Sequence, residues 1–312
     1  MFTAGRGRLV ALGAVVVGAA IALSGCASSD PLANGGAGGS STEAKATLIV
    51  GSQDYYSNEI IAEIYAQALE DGGYTVDRQF RIGQREVYLP EITASKIDVF
   101  PEYTGSLLQA LDPKAAGGTK EVVYEALKAA LPTGVSVLNE ADASDGNSWT
   151  VTQALADKYS LTDIASLKNV TEKLYVGGNS ELQTRPYGPK ALESKYGIKI
   201  AGFKAVEDGG GPLTVKALVD NQIQLTNIYT ADPNIKTNNL VALSDPDGLF
   251  FPDNVVPVVS KKVDTAAADI LNKVSAALTA DDLISLNSES VNDQKSAPSI
   301  ATAWLTSKGL LK

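Results

Sequence analysis

The stretch TLIVGSQDYYSNEIIAEIYAQALEDGG, residues 47–73, decides the fold class. Leu48, Ile49 and Val50 form a short apolar run closed by Gly51, which reads as a buried strand. After a polar turn from Gly51 to Tyr56, the residues Ile60, Ile61, Ile64, Tyr65, Ala68 and Leu69 recur at helical spacing and lay one apolar stripe along a helix. Gly72 and Gly73 stop it. Working outward, the same alternation predicts a strand from Thr75 to Phe80, a helix from Arg85 to Ala94, a strand from Ile97 to Phe100 and, past Gly117 and Gly118, a helix from Glu121 to Leu131.

A second series follows, with strands expected at Ser148 to Thr152, Lys173 to Val176, Ile198 to Phe203 and Gln224 to Ile228. Helices are expected at Ala154 to Tyr159, Pro189 to Lys195 and Leu213 to Asp220. A strand-like run at Val255 to Val259 and three helical segments, Ala266 to Ala277, Asp281 to Ser288 and Ile300 to Ser307, close the chain. Strands alternating with helices predict an α/β protein with mostly parallel sheets. Two series predict two lobes, residues 46–140 with 246–312 forming one and residues 141–245 the other.

Ahead of the folded part, Arg6 and Arg8 precede a small and apolar run from Leu9 to Leu23, too short to cross a bilayer comfortably and flanked like an export signal. Residues 1–25 are therefore expected to be a signal peptide. Leu23-Ser24-Gly25-Cys26 resembles the lipobox of bacterial lipoproteins, which makes Cys26, the single cysteine of the chain, the expected lipid anchor. The Gly- and Ser-rich residues 26–45 lack apolar surface to bury and read as a tether. The expected location is the extracytoplasmic face of the cell membrane.

Composition narrows the chemistry. The 312 residues include no histidine, which removes histidine acid–base catalysis, Ser-His-Asp and Cys-His triads and histidine zinc sites. With 26 basic against 36 acidic residues and a net charge of -10, nucleic acid is not expected as a partner. No phosphate loop, nucleophile elbow or calcium-loop spacing occurs, so neither a cofactor nor a metal is expected and the chain is read as a non-enzyme. Asp142 with Asp145 and Asp245 with Asp247 read as solvated turns. Arg78, Arg81 and Arg85 read as facing solvent or a protein partner.

In open α/β sheets ligands bind outside the carboxyl ends of the strands. The segments there carry Ser52, Gln53, Tyr55 and Tyr56, then Glu102, Tyr103 and Ser106, then Gln183, Arg185 and Tyr187, and lastly Tyr229, Thr230 and Asp232. Tyr65, Tyr124, Tyr159 and Tyr196 lie within helical stretches and are assigned to packing.

Several segments, in order, carry a resemblance: Arg85-Glu86-Val87-Tyr88-Leu89-Pro90, Phe100-Pro101-Glu102-Tyr103-Thr104-Gly105-Ser106, Thr184-Arg185-Pro186-Tyr187-Gly188, Gly210-Gly211-Pro212-Leu213 and Phe251-Pro252-Asp253-Asn254-Val255. From about Leu48 to the C-terminus the chain resembles the substrate-binding proteins of glycine betaine, choline and related osmoprotectant ABC transporters. The resemblance implies a two-lobed periplasmic-binding-protein-like fold of type II, hinged around a solute, in a monomer that serves a permease and its ATPase. It also implies an aromatic cage, because a quaternary ammonium has no N–H to donate and is best held by ring faces.

Carried over position by position, the resemblance assigns Tyr103 to the cage, Ser106 to a hydroxyl three residues on, and Arg185 to the solute's carboxylate. It makes Gln53 a polar contact, Trp149 a further cage ring and Asn147 a contact two residues before it. The family's other tyrosines fall on Val215 and on Asn238 or Asn239, leaving the cage two rings short; Tyr229, Tyr187 and Tyr55 are the candidates to refill it. A more polar, amino-acid-derived solute, or a surface enzyme or sensor on the same fold, are the alternatives.

Overall fold

The computed structural model describes residues 45–311; the expected signal peptide, Cys26 and most of the expected tether lie outside the described residues. The strands are β1 (Thr47–Gly51), β2 (Thr75–Gln79), β3 (Val99–Tyr103), β4 (Val135–Val137), β5 (Asn147–Thr152), β6 (Leu174–Gly178), β7 (Ile200–Ala205), β8 (Leu225–Tyr229), β9 (Leu240–Ala242) and β10 (Val255–Ser260). The helices are α1 (Tyr56–Asp71), α2 (Arg85–Thr93), α3 (Thr104–Leu111), α4 (Lys120–Ala130), α5 (Gln153–Tyr159), α6 (Pro189–Tyr196), α7 (Pro212–Val219), α8 (Asn234–Thr237), α9 (Thr265–Ala277), α10 (Ala280–Val291) and α11 (Ala297–Ser307).

They build two five-stranded sheets, ordered β2-β1-β3-β10-β4 and β7-β6-β8-β5-β9. In each, the first three strands run parallel, as βα units dictate, and the fourth is antiparallel to both neighbours. The expectation of mostly parallel sheets holds in that four strands of each sheet point the same way, and the one reversed strand makes each sheet mixed. The reason is connectivity: β5 and β10 arrive from the other lobe along residues 138–146 and 243–254, with no crossover helix to impose a parallel direction. The two crossovers touch through the antiparallel bridge of Ser144 and Asn254, which marks the hinge.

The helix read first from the sequence is α1, and Gly73 ends it at a φ of +88° that a side chain would resist. Its apolar stripe, Ile60, Ile61, Ile64 and Leu69, packs with Leu271 and Val274 of α9, Leu283 and Leu286 of α10, and Ile300 and Leu305 of α11. The last three helices thus return to the first lobe, each large side chain contributing about 1.5–3 kcal/mol by burial.

β3 runs three residues beyond its expected end, through Pro101, because Pro101 sits opposite Pro257 of β10 in a pairing that needs neither missing N–H. α3 follows at once. Gly105 in its first turn is explained by close approach: a Cβ there would lie 2.5 Å from the Pro252 carbonyl oxygen and 2.7 Å from Phe251 Cβ of the second crossover.

Candidate functional site

A cavity of about 40 Å³ lies between the lobes at the carboxyl ends of β1, β3, β6 and β8. The first lobe contributes Gln53 and Tyr55 from the β1–α1 turn, Gln84 and Arg85 at the start of α2, Tyr103 and Ser106 at the β3–α3 junction, and Asp253 from the second crossover. The second contributes Gly178, Asn179, Glu181, Leu182, Arg185 and Tyr187 after β6, the turn at Gly209 and Gly210, and Asn227 and Tyr229 of β8. Of the sequence candidates, Gln53, Tyr103, Ser106, Arg185, Tyr187 and Tyr229 all line this one cavity.

Four tyrosines converge there. Tyr55 stacks on Tyr229 across the cleft, ring centroids 5.0 Å apart and planes at 21°. Tyr103 is buried at the end of β3, and Tyr187 tilts against Phe250 at 5.3 Å. Burial raises the phenols of Tyr55, Tyr103, Tyr187 and Tyr229 above their ordinary value, so all four stay neutral. The hydroxyls of Tyr55 and Tyr103 influence each other but make no hydrogen bond of ordinary geometry, and Gln53 Nε2 is likewise buried without a partner. The Gln53 backbone is fixed by its N–H donating to Asn58 Oδ1 at 2.8 Å, while Asn58 Nδ2 donates to the Pro101 carbonyl at 2.9 Å. A fixed backbone with an unpartnered amide leaves that amide available to a solute.

Behind the rings stand buried charges. Arg85 grips Glu102 with two prongs, Nε to Oε1 and Nη2 to Oε2, both at 2.9 Å. Glu102 is 0% exposed and also accepts from the Tyr88 hydroxyl at 2.6 Å and the Tyr103 N–H at 2.9 Å. Burial works against the Arg85 charge and Glu102 more than offsets it, so its pKa is raised well above the ordinary value. The expectation that Arg85 faces solvent is therefore corrected. Arg78 and Arg81 differ: they pair with Glu63, Glu70 and Glu59 nearer the surface.

Asp253 accepts from the Ser106 N–H at 2.8 Å and its hydroxyl at 2.5 Å, and Asn147 Nδ2 donates to the Ser106 oxygen at 3.0 Å. Asn147 thus touches the site through Ser106 rather than lining it. Asp145, in the first crossover, accepts from the Ser57 hydroxyl of one lobe at 3.2 Å and from the Ala231 N–H of the other at 3.0 Å. Burial pushes Asp145 up to about 7 and Asp253 to about 6. The reading of Asp142 with Asp145 as a solvated turn holds for Asp142, 84% exposed, and is corrected for Asp145.

Trp149 requires a correction too. It is 0% exposed in the core of the second lobe with Val151, Leu167, Leu174 and Val176, and does not reach the cavity. Two residues along β5 from Asn147 carry the chain about 7 Å away from the cleft and into the core. Val215 is buried with Leu218, Ile223 and Ile228, and Asn238 and Asn239 line a separate surface pocket, so neither position contributes to this cavity. Tyr55 and Tyr229 supply rings instead. The sequence reading missed Arg85 and Asp253; the only signal for Asp253 was its place in the Phe251-Pro252-Asp253-Asn254 segment.

With this geometry in place, residues 46–307 match the substrate binding domain of the ABC-type glycine betaine transport system. The chain belongs to that family. The chain is similar to the glycine betaine-binding protein YehZ of Escherichia coli K12, 26% identical over 284 residues, covering 86% of this chain and 93% of that protein. The carnitine transport binding protein OpuCC of Listeria monocytogenes is 24% identical over 278 residues, covering 86% and 88%. A crystal structure of a glycine betaine/carnitine/choline ABC transporter superposes with a TM-score of 0.66 at 17% identity, covering 85% of this chain and 100% of its own, which bears on the fold. The two-lobed fold of solute-binding domains is thus this protein's fold.

Proposed function

We propose that the protein captures a small quaternary ammonium solute of the glycine betaine, choline or carnitine kind and delivers it to an ABC permease driven by its ATPase. The observation that carries this reading is the convergence of Tyr55, Tyr103, Tyr187 and Tyr229 with Arg185 on one interlobe cavity. Ring faces suit a cation that cannot be hydrogen-bonded, at about 0.5–2 kcal/mol per contact, and a guanidinium suits its carboxylate.

The described conformation is a closed one. Its 40 Å³ would hold a few waters at about 10–15 Å³ each, so a solute enters only when the lobes part along the crossovers. The lobes are taken as residues 46–140 with 246–312 and residues 141–245, the protein as a monomer tethered to the outer face of the membrane through Cys26. A second reading, a more polar amino-acid derivative, is favoured by the unpartnered Gln53 Nε2, which offers a donor beside the rings.

Calorimetric titration of the full-length protein in detergent with glycine betaine, choline and carnitine tests the proposal. Micromolar binding, weakened at least about tenfold in Tyr103→Ala, is the expected outcome. No heat with any of the three would remove the quaternary ammonium assignment.

A further inference from the structure

Adjacent residues of α2 make two ion pairs of the same two-pronged shape with opposite surroundings. Arg85 holds Glu102 inside the first lobe, and Glu86 reaches across the cleft to Arg185 of the second. Arg185 Nη1 lies 2.9 Å from Glu86 Oε1 and its Nη2 donates to Oε2 at 3.1 Å, the grip a free carboxylate would receive. Arg85 cannot be released for a solute: its partner is fully buried, and removing the guanidinium would leave an uncompensated charge. Arg185 can. Its own side chain is 12% exposed and faces the cavity, whereas Glu86 is 52% exposed and rehydrates as it lets go.

We propose that Glu86 is a built-in substitute for the solute's carboxylate. In the described form it occupies Arg185 and latches the lobes; a carboxylated solute displaces it and takes over both tasks. This rests on the assignment of Arg185 to the solute's carboxylate made above. The two kinds of ligand are affected differently. A ligand without a carboxylate leaves the latch in place and keeps its help with closure, while a ligand that carries a carboxylate must break it. The ratio of affinities for glycine betaine and choline therefore reads the competition directly.

The test compares the full-length protein with Glu86→Gln by calorimetry against glycine betaine, carnitine and choline. The expected result is a rise of about two- to fivefold in the affinity of glycine betaine and of carnitine relative to choline. An unchanged or lower ratio overturns the competition. A second arm needs no solute: in a Cys26→Ala background, spin labels at Lys96→Cys and Lys216→Cys, one exposed site on each lobe, report the interlobe distance. Glu86→Gln should shift that distribution to longer distances, and an unchanged distribution overturns the latch. If no solute binds even the parent protein, the assignment of the cavity fails while the spin-label arm still decides whether Glu86 holds the lobes.

Discussion

The two walls of the cleft come from sheets of matching strand order but are stiffened differently. On the first lobe, the rings and hydroxyls at the end of β3 are backed by buried charge: Arg85, Glu102 and Tyr88 form one network and Asp253 and Ser106 another, which Asn147 of β5 joins from the other lobe. On the second, Asn227 and Tyr229 of β8 stand beside a wall otherwise made largely of turns. Gly178, Gly209 and Gly210 take φ values of +147°, +66° and +82°, and the guanidinium of Arg185 is tied only to a carboxylate that water can claim. With a preset wall facing an adjustable one, any adjustment to a solute falls on the side where it costs little.

The sharpest way to break this contrast is Glu102→Ala. It leaves Arg85 buried without its partner, and a loss of about 3–5 kcal/mol in urea unfolding is expected, against near-neutral effects for Glu86→Gln on the exposed pair. Equal losses would mean that the two walls are not differently built.

Next in size is the response to pH. Asp145 is raised to about 7 and Asp253 to about 6, so between roughly pH 4 and pH 7 the folded protein binds more protons than the unfolded chain. Stability should fall as pH rises through this window, by at most about 1.4 kcal/mol per pH unit for each site, and level off above it. Asp145→Asn should flatten the profile of urea midpoint against pH.

Smaller again is Gly209→Ala. Besides its left-handed φ, a new Cβ would lie 2.9 Å from Tyr55 Cβ on the opposite wall, so the change should cost about 1–2 kcal/mol and hold the lobes apart in solution scattering.

How much of this was legible follows from range. Long periodic elements such as α1 and α9 declare themselves in the sequence because a helix's own stripe records its burial. β4 and β9 have three residues each and no period to read, and α3 follows β3 directly through Pro-Glu-Tyr-Thr-Gly without an N-capping side chain. Of the cavity's lining, Tyr103, Ser106 and Arg185 were named through the motifs that carry the family resemblance. Arg85 looked like one of three surface arginines because its partner lies 17 residues away, and Asp253 meets Ser106 from 147 residues away, distances no local pattern spans. Trp149 failed for the complementary reason: side chains two apart on a strand share a face, and nothing in the sequence said that the step of about 7 Å along β5 from Asn147 leaves the cleft for the core.

The most direct test of the central claim is the structure of the carnitine complex. The account predicts the quaternary nitrogen within about 6 Å of at least two of the ring centroids of Tyr55, Tyr103, Tyr187 and Tyr229, with the carboxylate on Arg185 and Glu86 turned to solvent. A solute bound outside this cleft, or within it with its nitrogen away from every ring, would contradict it.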